Sequence, residues 1–123
     1  MAIERFEDIE AWRIARDLTQ TIYQATGQQR FNRDYGLRDQ IQRASVSIMA
    51  NIAEGFDSKS DKMFLQFLSY ALSSTTEVQS HLYVALDQEY ITQDLFDELY
   101  EKASKTKSVI LGFMRYLRSK TKR

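Results

Sequence analysis

The chain of 123 residues balances 17 Lys+Arg against 17 Asp+Glu, is 43% apolar and 28% charged, and contains four glycines, one histidine, no proline and no cysteine. This is the composition of a single domain, residues 1–123, with few and short turns; it excludes turn-rich β architectures, disulfide frameworks, thiolate metal sites and cysteine nucleophiles. With His81 the only imidazole, most histidine-based catalytic and metal constellations lack parts.

Apolar periodicity near 3.6 predicts a first helix over about 8–26, with Ala11, Ile14, Ala15, Leu18, Ile22 and Ala25 on one face and Gly27 as its stop. Phe6, Ile9 and Trp12 extend that face towards the N-terminus. A second helix is predicted over about 32–54, with Asn32 as N-cap, Asp34 in the first turn, and Gly55 as a left-handed C-cap. Its stripe is Leu37, Ile41, Ala44, Ile48 and Ile52. After a short linker, Ser60 caps a third helix over about 60–88, with Phe64, Leu68, Ala71, Leu72, Val78, Leu82, Ala85 and Leu86 on a broad apolar face. A fourth runs over about 92–120, with Phe96, Leu99, Ala103, Thr106, Ile110, Phe113 and Leu117 spaced alternately three and four apart. Four such helices joined by loops of about three to five residues predict an all-α, antiparallel up-down-up-down four-helix bundle. The charged N-terminal stretch lacks the apolar run of a signal peptide, and no segment has the roughly 18 apolar residues of a membrane span, so a cytoplasmic protein is expected.

Charge is spread unevenly. From Met63 to Leu86, 24 residues carry one formal charge, Glu77, where the overall composition predicts about seven. Opposite the apolar face stand Gln66, Ser69, Tyr70, Ser73, Ser74, Thr76 and Ser80. A surface of this kind suits a subunit interface, because small residues allow close approach and neutral ones cost little to desolvate; a wet helix side rich in Ser and Thr is the plainer alternative. On the second helix, Gln40, Arg43, Ser47, Asn51 and Glu54, spaced +3, +4, +4, +3, form one polar edge. That edge is either solvated or a structural network in which Arg43 meets Glu77, within one chain or between two. Breaking such a buried pair typically costs about 3–5 kcal/mol.

The fourth helix starts acidic and ends basic: six acids and no base from Asp87 to Glu101, then eight bases and no acid from Lys102 to Arg123. This order complements the helix dipole. It also makes Arg115, Arg118, Lys120, Lys122 and Arg123 candidate contacts to RNA phosphates. Catalytic sites fit poorly. Glu77 and His81 are four apart, not the Glu-x-x-His spacing of a di-iron bundle, and the stretch from Asn51 to Gly55 lacks a phosphate-loop signature. A hydrolase built from Glu54, Glu77 and His81 is the remaining enzymatic alternative. No catalytic residue, cofactor, metal or small-molecule substrate is expected.

The residues Phe6, Trp12, Ala15, Leu18, Ile22-Tyr23, then Tyr35-Gly36-Leu37, Gln40-Ile41, Arg43-Ala44, Ser47-Ile48 and Asn51-Ile52-Ala53-Glu54-Gly55, continuing through Phe64, Phe67-Leu68, Ala71, Ser74, Glu77, Leu82 and Tyr90-Ile91, form a pattern covering nearly the whole chain. It resembles the bacterial four-helix bundle family encoded in intervening sequences of 23S rRNA genes, also labelled S23 ribosomal protein. Asn32 stands where that family usually has proline, and Ser73 where it usually has glycine. The resemblance implies a homo-oligomer, a pentamer, without enzymatic activity; it places the family's central motif on Gln40, Arg43, Ser47, Asn51, Glu54 and Glu77. A more distant resemblance, to accessory proteins of diversity-generating retroelements, implies RNA or a reverse-transcriptase-like protein as partner. The function expected is a scaffold that assembles and offers a basic rim to structured RNA or an RNA-processing partner. The alternative is a protein–protein interaction module without nucleic-acid binding.

Overall fold

The computed structural model describes residues 3–121, and every regular element among them is helical. A 3₁₀ turn at Phe6–Asp8 precedes α1 (Glu10–Thr26), the short α2 (Gln29–Arg33), α3 (Tyr35–Phe56), α4 (Asp61–Asp87) and α5 (Gln93–Thr121). Each long helix packs on its neighbours in the chain, and α5 closes back on α1. The result is an antiparallel four-helix bundle, the expected all-α architecture. Cross-helix hydrogen bonds tie neighbouring helices together. Thr19 Oγ1 donates to the Ser45 carbonyl (3.2 Å) and Gln42 Nε2 to Thr26 Oγ1 (2.9 Å) between α1 and α3, while Gln79 Nε2 donates to Ser104 Oγ (3.0 Å) between α4 and α5.

The predicted stripes meet along one axis. Leu18, Ile22, Ile41, Ile48, Ile52, Leu68, Leu82, Leu99 and Ile110 are all fully buried there, each contributing about 1.5–3 kcal/mol of apolar burial before entropy is charged against it. No helix among the described residues is long and apolar enough to cross a membrane.

Three helix ends differ from expectation. The first helix starts at Glu10 rather than Asp8, because the Asp8 carboxylate accepts hydrogen bonds from the Glu4 and Arg5 amides (3.2 and 3.3 Å) and closes the preceding turn. Asn32 is not the N-cap of the second long helix; it lies inside α2, and Asp34 caps α3, accepting from the Leu37 amide at 3.1 Å. Gly55 is not a left-handed C-cap. It sits within α3, which runs on to Phe56, and Asp57 ends the helix in right-handed geometry.

Gly55 has a different task. A Cβ there would stand 2.6 Å from Phe64 Cδ1 and 2.9 Å from Phe67 Cβ, so the missing side chain is what lets α3 and α4 close together. The left-handed cap occurs instead at Glu89 (φ 60°), after α4. The Tyr90 amide donates to the Ala85 carbonyl and the Glu89 amide to that of Leu86, both at 2.9 Å. This is the paired bonding of a Schellman ending, built here without glycine.

That ending delivers Tyr90 to the α2–α3 junction. Its hydroxyl donates to Asp34 Oδ2 (3.0 Å), its ring stacks on Phe31 (centroids 5.2 Å apart), and the Arg30 guanidinium lies 5.5 Å from the ring centroid. The hydrogen bond to Asp34, with help from burial and from the carboxylate charge, holds the Tyr90 phenol above its ordinary value of 10.0. A raised value means that the neutral phenol favours the fold: its contribution is complete below pH 10 and disappears as pH rises through the raised value. Tyr90→Phe is therefore expected to lower stability by a constant amount near neutrality, with the gap to the parent closing above pH 10. Denaturant unfolding followed by circular dichroism from pH 7 to 11 measures this, and a gap that stays constant to pH 11 counts against the bond.

Candidate functional site

The outward side of α4 is the least charged surface of any long helix. Gln66, Ser69, Tyr70, Ser73, Thr76 and Ser80 are exposed there, Tyr70 at 49%. Ser74 is turned inward, buried in the α3 seam. Met63 and Val84, which periodicity alone leaves unremarked, are also exposed. With Tyr70 and Glu77 they recur every seven residues, a spacing that keeps them on one edge of the helix with a drift of about 20° per heptad. That edge borders α3, whose Val46 and Ala50 are likewise exposed.

The polar edge of α3 is only partly a network. Ser47 Oγ and Ser74 Oγ share a hydrogen bond at 2.9 Å across the seam, and Asn51 Nδ2 donates to the Ser47 carbonyl (2.9 Å) and Oγ (3.0 Å). Gln40, Arg43 and Glu54 remain exposed. Because Ser47 sits opposite Ser74 in an antiparallel pair, Arg43 and Glu77 lie in the next turn of their helices. They make no ion pair with each other within the chain. Glu77 Oε2 instead stands 3.5 Å from His81 Nε2, an atom that is buried and has no hydrogen-bond partner among the described residues. Glu54 is at the level of Phe64 and Phe67, where Gly55 touches α4; ten residues of helix, roughly 15 Å, separate that level from Glu77. The three residues of the hydrolase alternative therefore do not converge, and among the described residues no group of three His, Asp or Glu side chains is placed to hold a metal.

At the other candidate site, Arg115, Arg118 and Lys120 are exposed on the last turns of α5. Lys120 Nζ is 3.8 Å from Asp61 Oδ2. Lys122 and Arg123 lie outside the described residues.

The model of the 23S rRNA-intervening sequence protein family matches residues 7–112. The chain belongs to that family. The match takes in the whole uncharged face of α4 and the polar edge of α3, and stops short of Arg115 and the other bases of the C-terminal rim. The fold is similar to that of a protein with unknown function from the S23 ribosomal protein family of Bacteroides thetaiotaomicron VPI-5482. The two chains are 20% identical over 85% of this chain and 97% of that one, with a TM-score of 0.77. Comparison with curated proteins finds no match.

Proposed function

We infer that this protein is a non-enzymatic scaffold that associates with further copies of itself through the outward face of α4 and the adjoining edge of α3. The observation that carries this is the lone charge: a helix with one whole side in water keeps only Glu77 across 24 residues, while Met63, Tyr70 and Val84 stand exposed beside small hydroxyl residues. Covering such a face removes apolar area from water and desolvates a single carboxylate. Arg43, exposed on the bordering edge, is available to meet Glu77 of a neighbouring copy. Light scattering at low and high salt tests the assembly. A mass that is a multiple of 14.4 kDa is expected at both, five copies being the number that the family resemblance implies. A monomer at both salts removes the scaffold.

RNA contact through Arg115, Arg118 and Lys120, with Lys122 and Arg123, is a second function. It is favoured by the absence of any acid from Lys102 onward in the chain. Replacing Arg115, Arg118, Lys120 and Lys122 by Gln is expected to weaken binding of a structured RNA. It should also flatten the dependence of log K on log salt by about 0.7–0.9 for each phosphate that the protein no longer neutralises. An unchanged slope leaves the protein–protein role alone.

A further inference from the structure

Between the N-terminal segment and the last third of α5 lies a groove of about 510 Å³, within the range of small-ligand sites. Its apolar walls are Ile3, Ile9, Val109, Phe113 and Tyr116, and Gly112 lies between them. The Phe113 and Tyr116 rings are nearly parallel, 10° between planes and 6.0 Å between centroids. Phe113 is held edge-on against Phe64 (5.3 Å, 81°), whereas Tyr116 is 49% exposed and offers its ring to the solvent side.

Two guanidinium groups flank this slot. Arg13 lines it and donates to the Asp8 carbonyl (3.4 Å). Arg115 Nη2 lies 3.7 Å from where a Cβ on Gly112 would be, which brings it to the slot edge. Neither arginine has a carboxylate within 4.0 Å among the described residues. Of the two acids in the lining, Asp8 is already engaged by two backbone amides and the Arg5 guanidinium (3.8 Å), and Glu10 is the remaining opposing charge. A flat apolar slot edged by two unpaired guanidiniums complements a planar ring that carries an anion.

We propose that this slot receives one unpaired nucleotide of a single-stranded RNA, its base stacking on Tyr116 and Phe113 and its phosphate meeting Arg115 and Arg13. The proposal rests on the RNA contact described above, and narrows it from phosphates in general to an unstacked base. A paired base cannot enter, because both of its faces are already covered by its neighbours in the helix. Stacking of a base on an aromatic ring is sequence-tolerant, so the slot selects strandedness rather than sequence.

The test uses the full chain with two fluorescent probes, a ten-nucleotide oligouridine and a ten-base-pair RNA duplex, and three variants. Tyr116→Ala removes the exposed ring, and Gly112→Leu fills the slot while replacing glycine by a better helix former. The four-residue rim replacement given above is the third. Tyr116→Ala and Gly112→Leu are each expected to weaken oligouridine binding about tenfold or more and to leave duplex binding and the mass of the protein unchanged. Parental oligouridine affinity in both variants overturns the slot; if the rim variant still loses affinity, the RNA contact survives without it. A drop in mass on Gly112→Leu overturns the slot too, since the groove is then a contact between copies. Absence of binding to either probe by the parent at low salt removes both the slot and the RNA contact.

Discussion

Gly55→Ala is expected to destabilise the bundle by about 1–2 kcal/mol, even though it replaces glycine by the strongest helix former within a helix. Helix propensity alone predicts a gain of about 1 kcal/mol. Against this stands the space: the new methyl would be 2.9 Å from Phe67 Cβ, an atom that moves only if the α4 backbone moves, and 2.6 Å from the Phe64 ring. Overpacking of this kind costs about 1–3 kcal/mol, and here the seam that must open also holds the Ser47–Ser74 bond. Gly112→Ala is the control. Its methyl would meet only the far end of Arg115, at 3.7 Å, so propensity prevails and stability rises by up to about 1 kcal/mol. Thermal unfolding of the two variants beside the parent measures the difference in sign. A midpoint for Gly55→Ala at or above the parent's shows that α3 and α4 do not pack this closely.

Two arginines placed in the middle of the α4 face, Ser73→Arg with Ser80→Arg, are expected to abolish self-association while leaving the folded chain intact. Both serines are exposed, so within a single chain the substitutions are worth no more than about 0.5 kcal/mol each. Both positions are within reach of Glu77 on the same helix, at i−4 and i+3, but one carboxylate can neutralise only one of them. An assembly that covers the face therefore buries at least one unpaired guanidinium at a cost of several kcal/mol, equivalent to at least about a hundredfold in the association constant. Gln20→Arg, on the exposed side of α1, adds the same kind of charge away from the face and should leave the mass alone. Sedimentation velocity of the three proteins, with circular dichroism to establish that each is folded, reads the outcome. A double variant that sediments like the parent places the interface elsewhere or removes it.

The long helices and the buried stripes were legible in the sequence, because a 3.6-residue period over 17 to 29 residues leaves little choice once proline is absent. The ends were less so. Asn32 and Asp34 are both good caps; what selects Asp34 is Tyr90, 56 positions away, and no local pattern contains that. Glycine near a helix end signals either a left-handed cap or a close approach. Gly55 serves the second need, whereas the left-handed cap falls to Glu89. The polar edge of α3 was legible as a face, but not its pairing: Ser47 finds a partner because Ser74 turns inward, Asn51 bonds back to Ser47 on its own helix, and Gln40, Arg43 and Glu54 stay in water. The groove beside α5 leaves no trace in any local pattern, because Ile3 and Ile9 are separated from Phe113 and Tyr116 by about a hundred residues of chain. Only the return of α5 along α1 brings them together.

The solitary carboxylate between Met63 and Leu86 also bears on which alignments a neighbour can adopt. A surface of serines, threonines and a few apolar side chains is forgiving: slid along its partner by one helical turn, it packs almost as well as before. Glu77 removes that tolerance. Any molecule that covers this face must bring a cation or hydrogen-bond donors to one point, and every slipped alignment leaves a bare carboxylate buried, at a cost of several kcal/mol. In an assembly through this face, a single charge in a neutral field would thus act as a locating pin, setting the register of contact rather than its strength.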